Sequence, residues 1–82
     1  MPIVFYSDEN LEGDQERWED DNLPDPGVCT IIGMVVRSIH NDTDYQVVTY
    51  GGEGCKYSTD TTGPSMDNYQ LKPAQSFKTT VP

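Results

Sequence analysis

Nothing in this chain reads as a helix. Nowhere do apolar residues recur at i, i+3, i+4 and i+7 over three turns, and seven glycines and six prolines punctuate every long segment. What remains is a series of short runs rich in β-branched and aromatic residues. Residues 2–7 place Ile3 and Phe5 on one face and Val4 and Tyr6 on the other. Residues 13–18 read as a charged, edge-like strand with Trp18 turned inward. The stretch 22–27 is a rigid polar loop in which Pro24 and Pro26 fix φ and Gly27 is free to turn. Residues 28–32 and 34–39 read as two more strands, with Gly33 as a bend or bulge between them.

The pattern then restarts. Residues 45–50 repeat the character of 3–6, and the Gly-Gly-Glu-Gly at 51–54 is a tight turn. A short strand is predicted over 55–58, a polar loop holding Gly63 and Pro64 over 58–68, and a last strand over 75–81. Aligning Tyr6 with Tyr50 brings Ser38 and Ile39 onto Ser76 and Phe77, once a shorter second-half loop is allowed. Such spacing argues for an all-β sandwich or barrel made of two similar supersecondary units, each covering the other's apolar face. With 82 residues there is one domain, and only 34% of it is hydrophobic. A chain of this size buries roughly 60–65% of the surface its unfolded form exposes, so its core is small and extra fastening is welcome.

Charge narrows the possible partners. Fourteen acidic residues against five basic ones give −9. Most of the acids gather early in the chain: Asp8, Glu9, Glu12, Asp14, Glu16, Glu19, Asp20, Asp21 and Asp25. Such a surface repels phosphate backbones and anionic lipid, which argues against nucleic acid or membrane as partners. No run approaches the ~18 apolar residues of a membrane helix. A charge run of this kind is most often a solvated face; its sharper readings are a cation site or a docking face for a protein with a basic surface.

The opening residues resemble a known family. Ile3-Val-Phe-Tyr-Ser-Asp-Glu-Asn-Leu-Glu-Gly13 looks like the start of a βγ-crystallin Greek-key motif, with Tyr6, Leu11 and Gly13 at the aromatic, apolar and glycine places. Ser38 and Ser76 resemble the serine that begins each motif's last strand. In the second half Tyr50 and Cys55 fit, while Tyr57 stands where the glycine belongs. The resemblance implies one domain over residues 1–82, a sandwich of two Greek keys at 1–40 and 41–82, monomeric and without enzymatic activity. It implies a structural, stress-type or partner-binding role. The alternative on the same scaffold is a secreted protease inhibitor or an antimicrobial or killer-toxin-like protein. For an inhibitor, Leu23 in loop 22–27 and Met66 in loop 58–67 are the candidate anchors for a protease cleft.

Cys29 and Cys55 have three possible uses: one disulfide, two buried thiols, or reactive groups; no C-x-x-C spacing exists. In small secreted fungal proteins that this chain resembles, two cysteines pair within one motif. Here the first motif keeps only Cys29 and the second only Cys55. A Cys29–Cys55 bond would close a loop of about 26 residues and stabilise the domain by about 3 kcal/mol. That resemblance implies a secreted protein. The first residues show no basic n-region or apolar h-region, which fits an intracellular chain or a mature secreted one with an added Met. Asn41-Asp-Thr43 matches a glycosylation sequon.

Calcium is the ligand the family implies. Its motif is two consecutive Asn/Asp, two residues, then Ser/Thr-Ser, giving oxygen ligands to a hard cation. The best fit in the first half is Asp25-Pro-Gly-Val-Cys-Thr30, and in the second Leu71-Lys-Pro-Ala-Gln-Ser76, which has no carboxylate. The implied sites are degraded; weak calcium candidates are Asp8, Glu9, Asp25 and Thr30. Catalytic patterns are poorer. A Cys29/His40/Asp42 triad can be written, but no spacing enforces it. The glycines at 51–54 precede a strand instead of the helix that a phosphate cradle needs. Trp18 can pair with Arg37 or simply join the core, and the core reading is preferred.

Overall fold

The computed structural model describes residues Met1–Pro82. Its first strand, β1 (Ile3–Asp8), forms where β-branched and aromatic residues alternate, and Ile3 and Phe5 go fully into the interior. β2 (Glu12–Trp18) is the expected charged edge strand; β3 (Thr30–Val36) and β4 (Ser38–Asn41) follow. The second half supplies β5 (Gln46–Tyr50), β6 (Ser58–Thr62), β7 (Met66–Asn68) and β8 (Ala74–Thr80). Two four-stranded antiparallel sheets result, ordered β2-β1-β4-β7 and β3-β8-β5-β6. The third strand of each half therefore sits at the edge of the other half's sheet.

The halves correspond strand by strand. In β1–β4, Ile3 lies opposite Asn41, Phe5 opposite Ile39 and Tyr6 opposite Ser38. In β5–β8, Val47 lies opposite Thr79, Thr49 opposite Phe77 and Tyr50 opposite Ser76. The core fills the space between the sheets: Phe5 packs at a tilt against Phe77 with ring centroids 4.9 Å apart, and Trp18 meets Phe77 edge-on at 5.6 Å. Ile3, Ile32, Val36, Ile39, Val47, Leu71 and Ala74 complete it. Trp18 is thus partly buried and packed on the core.

Three expectations are corrected. Residues 34–39 are not one strand: β3 runs through Gly33 to Val36, and the break falls at Arg37. There the chain crosses sheets, its N–H donating to Tyr6 O at 2.9 Å and its carbonyl accepting from Leu71 N at 2.8 Å. The bulge does exist, since β3 loses register with β8 between Ile31 and Val36. Residues 55–58 form no strand, and the stretch 58–68 is no loop but β6 and β7. Their Ser, Thr and Asp residues pair through the backbone while carrying almost no apolar alternation for the sequence to reveal.

Both halves fold their first hairpin back over the sheet and latch it with a serine. Ser38 Oγ donates to Asp8 O at 2.6 Å and accepts from Leu11 N at 3.0 Å. Ser76 Oγ donates to Gly52 O and accepts from Cys55 N at 3.0 Å. Each fold-back uses left-handed backbone: Asn10, Leu11 and Gly13 in the first, Cys55 and Tyr57 in the second. Tyr57 adopts φ +62° where the first half has Gly13 at +86°.

The sequon is structural. Asn41 is fully buried, its Nδ2 donating at 2.8 Å to both Tyr45 O and Gly63 O. Its Oδ1 accepts from Thr43 Oγ1 at 2.7 Å and from Thr43 N at 3.2 Å. The amide nitrogen that a glycan would need is committed to the fold.

Candidate functional site

Cys29 and Cys55 are bonded, with Cα atoms 5.9 Å apart. The bond ties the segment entering β3, a first-half strand, to the folded hairpin of the second half. Cys29 is therefore spent as a nucleophile. His40 does not meet Asp42 either. Its Nδ1 lies 2.5 Å from Asp67 Oδ1, directly across the β4–β7 pair, and Tyr69 Oη donates to Asp67 Oδ2 at 3.3 Å. The carboxylate that orients His40 was invisible in the sequence because β7 itself was.

The calcium candidates are dispersed. Asp8 ends β1, Glu9 lies in the turn after it, Asp25 in the loop ahead of β3, and Thr30 begins β3. No three His, Cys, Asp or Glu side chains come close enough together to hold a metal ion. The register also moves the first-half motif. Ser38 stands opposite Tyr6 as Ser76 stands opposite Tyr50, so the counterpart of residues 71–76 is 33–38, not 25–30. That stretch, Gly-Met-Val-Val-Arg-Ser, carries no carboxylate.

Of the two proposed anchors, Leu23 is half-buried and packs on the core. Met66 is exposed, but it opens β7 and pairs with Asn41. Neither projects from a free loop.

A different feature stands out on the surface. β3 alternates: Ile32 and Val36 face the core, while Ile31 and Val35 face outward, 57% and 42% exposed. Between this outer face and the folded β5–β6 hairpin lies a groove of about 330 Å³, lined by the β3 residues 31–35 with Gln75 and Glu53; Ile32 and Met34 among them also pack on the core. It is open and mostly apolar, with one carboxylate. Beside it, Glu16 of β2 accepts from Gly33 N at 2.9 Å and from Trp18 Nε1 at 3.3 Å, bringing the acidic strand against β3. Further along the acidic side, Arg17 Nε donates to Glu19 Oε1 at 2.5 Å. That hydrogen bond, and then the charge of Glu19, raises the Arg17 pKa above its ordinary value.

The sequence held a clue to the groove. The run 28–39 is apolar on both faces of its strands, and in a two-sheet sandwich only one face is inside. Searches against family models, curated proteins and solved structures give no match to this chain.

Proposed function

We propose that the chain is a βγ-crystallin-like domain, a sandwich of two Greek-key motifs over residues 1–40 and 41–82, serving without turnover as a structural or stress-type protein that binds a partner. The fold part of this reading is supported by the reciprocal exchange of third strands and by the serine latches at Ser38 and Ser76. The functional part rests on one observation: the chain's exposed apolar strip, Ile31 and Val35, flanks its groove, in a small domain that could have buried or replaced those side chains. A disulfide accessible on the surface suits an oxidising compartment, and we propose a secreted protein on that ground.

Two measurements test the reading. Purified protein is expected to show no hydrolysis of ester, glycoside or peptide substrates. Turnover that disappears in a His40→Ala variant would contradict it. Millimolar Ca²⁺ is expected to leave the urea midpoint unchanged, since a cation bound by the native state must raise stability by RT ln(1 + [L]/Kd). A clear upward shift would restore the family's calcium role.

A further inference from the structure

We propose that the groove between β3 and the folded β5–β6 hairpin receives a lysine or arginine side chain of a basic partner protein, flanked on that partner by apolar residues. The proposal rests on the partner-binding reading above and gives that partner its chemistry.

The lining sets the class of ligand. Ile31, Met34 and Val35 form an aliphatic wall, and Glu53 supplies the charge. An aliphatic lining with one carboxylate in it matches a long side chain with an apolar stem and a cationic head. The volume, about 330 Å³, is at the low end for a ligand site, suited to a side chain or two. Glu53 takes part in none of the chain's ion pairs, which join Met1 to Asp20, Arg17 to Glu19 and His40 to Asp67.

The chain contains its own control. The matching corner of the other sheet, where β7 runs along β4, carries the polar His40–Asp67–Tyr69 array. Asn10 N in the first hairpin donates to Tyr69 O at 2.8 Å and closes that corner. The fold therefore does not require an open apolar corner, and only the β3 side has one.

Charge selects the occupant. A second copy would bring another −9 against the same acidic β2, with only five cations to offset it. A basic partner meets Glu53 in the groove and Glu16 beside it, and gains steering from the whole acidic face.

The test is a ¹⁵N-HSQC titration of the intact, oxidised protein with a short blocked peptide of alternating Val and Lys. Two control peptides replace Lys by norleucine, which keeps the stem and removes the charge, or Val by Ser, which keeps the charge and removes the apolar flanks. The expected result is shift changes centred on Ile31, Val35, Glu53 and Gln75, with each control at least about tenfold weaker. Glu53→Gln, at an exposed position, is expected to keep the wild-type spectrum and to lose about two- to fivefold in affinity for the Val/Lys peptide. Shifts centred on β2 or residues 19–25, equal binding by either control, no binding, or full binding by Glu53→Gln would each overturn the proposal. Those failures leave the non-enzymatic reading standing, because that reading falls on His40-dependent turnover and not on what the groove takes.

Discussion

Tyr57 holds a left-handed backbone, φ +62°, with its side chain 83% exposed, so little packing offsets the strain. An L-residue in that region costs roughly 1–2 kcal/mol, and glycine's greater loss of chain entropy recovers only part of this on replacement. Tyr57→Gly is therefore expected to stabilise the domain by about 0.5–1 kcal/mol, read as a higher urea midpoint at unchanged slope. Gly13→Ala should do the reverse and more strongly. A Cβ there would collide with Ser7 Oγ and lie 2.8 Å from Asp8 Oδ2, on a backbone at φ +86°. The Tyr57 departure was legible from the sequence; that the backbone would take the glycine conformation anyway was not, because the latch of Ser76 on Gly52 O and Cys55 N enforces it from a distant strand. Thr62 offers a second residue-scale test. Its hydroxyl is buried without a hydrogen-bond partner, so Thr62→Val is expected to raise stability by about 1 kcal/mol. A fall of that size would mean the hydroxyl has a partner in solution.

At the scale of elements, the latches and the disulfide fasten different things. Ser38 and Ser76 hold each hairpin to the last strand of its own half, while Cys29–Cys55 joins first half to second. Ser38→Ala leaves Leu11 N–H without its acceptor and is expected to cost about 1–3 kcal/mol, with Ser76→Ala costing about the same for Cys55 N–H. Reducing the disulfide should lower stability by about 3 kcal/mol, and alkylation after reduction should add mass at both cysteines. The elements were unequally legible. β1, β5 and β8 carry β-branched or aromatic residues and could be read directly. β6 and β7, with sequences STDTT and MDN, could not, since only their pairing partners make them strands. The groove was missed for a related reason. Ile31 and Val35 count as core in a hydrophobic run, and their outward direction shows only in the alternating burial along β3, where Ile31 pairs with Ser76.

At the scale of the whole molecule, the exchange of β3 and β7 makes the halves interdependent. Removing residues 41–82 would leave β3 without β8 and β4 without β7, so neither half is expected to fold alone, and the intact chain should unfold in one transition. The aligned aromatics and serines revealed the two-fold repeat but not this exchange, because a repeat says that units are alike and not which sheet each strand joins. The exchange is also what places β3 beside the second hairpin, and so what makes the groove. The most direct test is an NMR map of interstrand NOEs in the oxidised protein. The expected result is contacts between Ile31 and Ser76 and between His40 and Asp67, linking the third strand of each half to the last strand of the other. A backbone ladder of β3 with β2 or β4 in place of β8, within its own half, would contradict the account.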